Sequence, residues 1–178
     1  GSWGAHAPRK NLLIHRSHRT TWPLSLDSTL PWQPDHLHLP AAIERIRVVT
    51  GARRVLDKYE RAHGIVNEDI VEYKPVKPFD LVLSISTLEH IGFDDDAAGE
   101  SREKLLAAIS ACRALLEPGG LFAFTVPLGY NPDLDQLIAD KALGADREWF
   151  MQRSGPRDWG EVPREKATGA AFGRPYPY

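Results

Sequence analysis

Beyond residue 40 the apolar residues gather into short dense runs separated by longer amphipathic ones, and before it they are scattered among prolines at positions 8, 23, 31, 34 and 40. RRVLDKYE (53–60) and GIVNEDIVEY (64–73) each predict a brief buried strand. FDLVLSIS (79–86), entered through Pro75 and Pro78, gives the most continuous strand pattern in the chain. SREKLLAAISACRALLEPGG predicts a helix with Leu105, Ile109, Cys112 and Leu116 on one stripe and Arg102, Glu103 and Arg113 away from it. PGG stops that helix, and LFAFTVP (121–127) predicts a fourth buried strand. NPDLDQLIADKALG follows as a helix with Pro132 in its first turn, and REWFMQRSGPRDWGEV as an antiparallel hairpin around Ser-Gly-Pro. PAAIERIRVVTG places Pro40 at a helix start and Gly51 past its end, with Ala42, Ile46 and Val49 at helical spacing. In the first forty residues NLLIH (11–15) is the one strand candidate, and the closing PREKATGAAFGRPYPY has no period and reads as a surface tail.

Strands buried on both faces and alternating with helices describe the α/β class. The expectation is a Rossmann-like, mostly parallel sheet with helices on both faces and a C-terminal antiparallel hairpin. Residues 1–39 form an irregular N-terminal segment, 40–162 the α/β domain and 163–178 a tail. In such sheets ligands bind outside the carboxyl ends of the strands. The polar text after FDLVL, namely Ser84, Ser86, Thr87, Glu89, His90 and then Asp94, Asp95 and Asp96, sits where that crevice should open.

Composition narrows the partners. A formal net charge of −2 over 178 residues gives no general attraction to nucleic acid or anionic membrane. No run approaches the ~18 apolar residues of a membrane span, and one cysteine, Cys112, leaves no internal disulfide to form. These features point to a cytoplasmic protein. Cys112 faces the core by its place on the helix stripe. The three adjacent aspartates suit helix capping better than a cation site, because three consecutive side chains do not converge on one ion. No metal is expected.

The succession VLDKYE, NEDIVEY, FDLVLSISTLEHIG, LLEPGGLFAFTVP, over about residues 53 to 127, resembles the second half of the class I S-adenosylmethionine-dependent methyltransferase fold. That resemblance implies roles for individual residues. Asp57 matches the acid that ends the second strand and accepts hydrogen bonds from both ribose hydroxyls of S-adenosylmethionine, a task suited to an acceptor-only carboxylate. Asp69, or Glu68 in its place, matches the contact to the adenine amino group, with Ile70 beside the ring. Ser84, Ser86 and Thr87 lie where the fourth strand passes the methionine end of the cofactor. His90 is a candidate general base toward a small-molecule oxygen or nitrogen acceptor, and Tyr130 and Asn131 belong to a loop that could meet that acceptor.

One part of the family pattern is missing. The first strand of the family ends in a glycine-rich turn that lets backbone approach the cofactor, yet no glycine lies between Gly4 and Gly51. VLDKYE is no substitute, because Asp57 and Asp80 are 23 positions apart, too close for two complete helix-strand units. Three readings fit: a divergent first strand such as NLLIH with an unusual cofactor loop, a domain that lost the loop and acts as a scaffold, or a truncated or rearranged chain. In the scaffold reading the aromatic and basic start (Trp3, Trp22, Trp32, Arg16, Arg19) docks a partner protein or, as the lesser alternative, nucleic acid.

Overall fold

The structure, a computed structural model, describes residues 12–15, 53–59, 61–94, 101–154 and 159–172. Five strands form a parallel sheet: β1 (Leu12–His15), β2 (Arg53–Leu56), β3 (Ile65–Val66), β4 (Phe79–Ile85) and β5 (Leu116–Thr125), in the order β3-β2-β1-β4-β5. NLLIH therefore contains the central strand. His15 pairs with Leu56 on one side and with Ser84 on the other, so β1, β2 and β4 end level with one another. From β1 the chain builds outward to β2 and β3, then crosses back to β4 and β5. Connections diverge at β1 and β4, and the carboxyl edge there is where an open α/β sheet forms its crevice.

Two helices cover one face. In α1 (Ser101–Ala114) Leu105, Ala108, Ile109 and Cys112 are buried, a spacing that repeats every three or four residues as one helical face requires. They pack on Leu56, Phe79 and Val82 toward β2 and on Leu88 toward the crevice. Burial pushes the Cys112 thiol up to about 12, so it stays protonated as a core group. Leu116, placed on this stripe by its spacing, is instead the first residue of β5. The helix ends at Ala114, and Pro118, Gly119 and Gly120 form a bulge inside β5, where the register slips between the Phe79 and Leu81 pairings. Next, α2 (Pro132–Ala139) buries Leu134, Leu137 and Ile138 against Leu105 and Ile109. The opposite sheet face carries Leu81 with Val55, Leu83, Leu121 and Ala123. The helix expected over residues 40–50 lies outside the described residues.

The hairpin forms as expected: β6 (Phe150–Arg153) pairs antiparallel with β7 (Trp159–Val162). The stretch after it contains a short helix, α3 (Arg164–Ala167), tied down by Arg164. That guanidinium donates to the Ile138 carbonyl at 2.9 Å, pairs with Glu148 and lies over the Phe150 ring. The chain then returns to the crevice side, where a Cβ built on Gly129 would come within 2.3 Å of the Ala170 oxygen. Residues 170–172 thus pack against the loop after β5, and part of the expected tail is docked. No helix among the described residues is long and apolar enough to cross a membrane.

Candidate functional site

Asp57 follows β2 directly and is fully buried. Its main chain closes the end of the strand, with its N–H donating to the Val66 carbonyl and its own carbonyl accepting from Asn67 Nδ2 at 2.8 Å. Its Oδ1 accepts the Tyr59 N–H at 2.9 Å, which turns the chain and fixes the carboxylate at the sheet edge. Across β1 lies Ser84, also fully buried. Two strand spacings separate these positions, about 10 Å of edge. Both groups therefore stand at the carboxyl edge of one sheet, on either side of the end of β1.

Beyond Ser84 the backbone turns sharply. Ser86 adopts a positive φ of 44°, a region side chains other than glycine rarely enter, while its N–H still donates to the Thr125 carbonyl at 2.9 Å. Strained backbone of this kind gathers at ligand-binding edges. Ser86→Gly is expected to raise stability by about 1 kcal/mol or less, read by urea denaturation. Thr87 is buried and donates its hydroxyl to the Ile85 carbonyl, closing the same turn.

The Glu89–Asp94 segment forms the next wall. A short turn, Leu88–His90, buries Leu88 and Glu89 under α1. Gly92, at a φ of 72°, then lets the chain press on the start of that helix, since a Cβ there would lie 2.8 Å from the Ser101 Cα. The turn returns Asp94 to His90, with the Asp94 N–H donating to the His90 carbonyl at 3.2 Å, and the i, i+4 spacing brings the side chains together. His90 Nδ1 lies 2.6 Å from Asp94 Oδ2. The Tyr130 hydroxyl, from the loop after β5, is 3.1 Å from both Asp94 oxygens, and its ring meets the His90 ring edge-on at 5.0 Å. On the inner side, Glu89 is 2% exposed, its Oε1 lies 3.7 Å from His90 Nε2, and its Oε2 has no hydrogen-bond partner. Burial first, and the neighbouring Asp94 charge after it, push the Glu89 carboxyl up to about 8.

The edge thus brings together Asp57, Ser84, Ser86 and Thr87, with His90 and Tyr130 along its β4–β5 side. Other candidates have structural duties. Asn131 is buried, caps α2 through the Asp133 and Leu134 N–H groups, and donates Nδ2 to the Glu89 carbonyl at 2.9 Å. Asp69 caps the turn at Val71 and pairs with Lys58 at 3.0 Å, while Glu68 is exposed beside it. Ile70 packs beneath α1 with Ala108, Cys112 and Leu115, away from the crevice. Asp94, read from sequence as a helix cap, is the partner of His90, and the i, i+4 spacing was the signal that could have shown it. Phe172, its ring 4.9 Å from Tyr130, came without any sequence signal. The described residues hold no group of three metal-binding side chains, and Asp95 and Asp96 lie outside them.

No family model matches the chain, and no curated protein does. Among solved structures the chain is similar to the glycopeptide N-methyltransferase MtfA complexed with (S)-adenosyl-L-methionine, at 13% identity and a TM-score of 0.31. The similarity covers 88% of this chain and 59% of that one, so this chain spans less than two thirds of the length of the protein it matches.

Proposed function

We propose that this chain carries out S-adenosylmethionine-dependent methyl transfer to an oxygen or nitrogen of a small-molecule acceptor. The observation that carries the reading is the placement of a fully buried carboxylate, Asp57, and a fully buried hydroxyl, Ser84, at one sheet edge on either side of β1, where the strand connections diverge. The motif order of residues 53 to 127 supports it independently.

The residues present fit the cofactor at this edge. Asp57 would hold the ribose, because an ionised carboxylate accepts two hydroxyl donors without offering a proton of its own. The turn at Ser84, Ser86 and Thr87 would line the methionine end, its small side chains leaving backbone carbonyls within reach of a positive charge. Asp69 and Glu68 stand next to the end of β3 and would border the adenine. When bound, the cofactor supplies a methyl group already activated by a sulfonium, so the protein has chiefly to align donor and acceptor and to take up one proton. His90 is the side chain of the edge suited to receive it.

Calorimetric titration with S-adenosylhomocysteine tests the reading. Micromolar binding is expected, weakened about 10- to 100-fold in Asp57→Ala, the equivalent of one or two charge-assisted hydrogen bonds. Asp57→Asn, which keeps an acceptor for the Tyr59 N–H, guards against a loss that merely reflects misfolding. Flat heats with a folded wild-type protein would favour a non-catalytic binding domain instead.

A further inference from the structure

We propose that Asp94, braced by the Tyr130 hydroxyl, is a positioning residue that presents His90 with its Nε2 lone pair as the base of the transfer, and that the acceptor is accordingly a hydroxyl compound. A carboxylate only accepts hydrogen bonds, so at a separation of 2.6 Å the proton between the two groups belongs to His90 Nδ1. In the neutral ring the lone pair then lies on Nε2. Glu89 Oε1 lies 3.7 Å from that nitrogen, too far for a hydrogen bond, which leaves Nε2 able to receive a proton.

Tyr130 closes the arrangement from a different element. Its hydroxyl reaches both oxygens of Asp94, and its ring packs edge-on against the imidazole. The ring of His90 is thereby held by its carboxylate partner and by a T-shaped aromatic contact. The same loop is secured to the Glu89 carbonyl by Asn131, so the β4 and β5 loops keep a fixed spacing.

The chemistry chooses the acceptor. A neutral amine already has the lone pair that attacks, whereas a hydroxyl oxygen becomes a strong nucleophile by losing its proton, and a positioned imidazole lone pair is of most use to the second. As the acceptor oxygen bonds to the methyl carbon, the carbon–sulfur bond breaks with its electron pair remaining on sulfur. The hydroxyl proton passes to Nε2, and the imidazolium, stabilised by Asp94, later releases it to water.

Nitrogen-15 NMR of the full chain, with the His90 signals assigned through His90→Gln, reads the tautomer directly. The neutral ring is expected to carry its proton on Nδ1, and Asp94→Asn to shift it toward a mixture of tautomers; Tyr130→Phe should move it less, in the same direction. Diethylpyrocarbonate, an electrophile that attacks the imidazole lone pair, should label His90 several-fold more slowly in Asp94→Asn. A wild-type ring protonated on Nε2, or a tautomer indifferent to Asp94→Asn, overturns the proposal. With phenols and primary amines of matched size as probes, transfer to phenols supports the acceptor class and transfer to amines alone refutes it. The proton-accepting role rests on the methyl-transfer reading and the tautomer does not: flat heats with S-adenosylhomocysteine beside an Asp94-dependent tautomer would remove that reading and leave the positioned base.

Discussion

Asn131→Ala is expected to destabilise the domain by about 2–4 kcal/mol, a fall in Tm of roughly 5–15 °C for a chain of this size. Two losses add. The side-chain Oδ1 caps α2 by accepting from the Asp133 N–H at 3.0 Å and the Leu134 N–H at 3.2 Å, and an N-cap asparagine replaced by alanine typically costs about 1 kcal/mol. The Nδ2 group donates to the Glu89 carbonyl at 2.9 Å within the buried interior, and an acceptor left unpaired there costs a further ~1–3 kcal/mol. Asn131→Ser separates the two contributions, because serine restores the cap while it has no amide to reach the Glu89 carbonyl. Thermal denaturation of the two variants should therefore rank alanine below serine and serine below wild type. Equal losses for both would place the whole effect in the Glu89 contact.

The sheet was legible where burial dictates the residue types. FDLVLSIS and LFAFTVP are continuous apolar runs of the kind parallel strands carry, and both form strands. GIVNEDIVEY was not, since β3 keeps only Ile65–Val66. After Val66 the Asn67 amide donates to the Asp57 carbonyl and the Asp69 carboxylate accepts the Val71 N–H, and such side-chain bonds to backbone compete with a strand ladder. Ile70 and Tyr73, which continue the apolar rhythm, fold into the core beneath α1. The central strand was the hardest to read: a four-residue run among prolines has too few positions for a period, and its place in the sheet comes from pairing with β2 and β4 on both sides. In the site, the family resemblance of VLDKYE and FDLVLSIS singled out Asp57 and Ser84, whose burial at one edge required the register of three strands. The His90–Asp94–Tyr130 cluster joins loops that only the sheet order brings together. Asn131 had the right address and a structural task, as a cap whose donor happened to face the neighbouring loop.

Glu89 governs the second large effect, on stability as a function of pH. Its carboxyl titrates near the ordinary carboxylate value of 4.5 in the unfolded chain and at about 8 in the folded one, raised first by burial and then by the charge of Asp94. Between those values the folded state holds a proton that the unfolded state has released, so stability falls as pH rises from 4.5 through about 8 and is flat in this contribution on either side. Each pH step of one across that window removes about 1.36 kcal/mol, so the loss accumulated above the upper value is on the order of 5 kcal/mol. Glu89→Gln keeps the size of the side chain and cannot ionise. It should match wild type most closely below the lower value and exceed it progressively toward the upper one, so the decisive quantity is the slope of stability against pH. Urea denaturation at steps between mildly acidic and mildly alkaline pH measures it. Parallel slopes for the two proteins would show that the Glu89 carboxyl ionises in the fold as readily as in water. The consequence for the site follows from the sign: near neutrality most folded molecules carry Glu89 uncharged, so the group beside His90 Nε2 adds no second negative charge to that of Asp94.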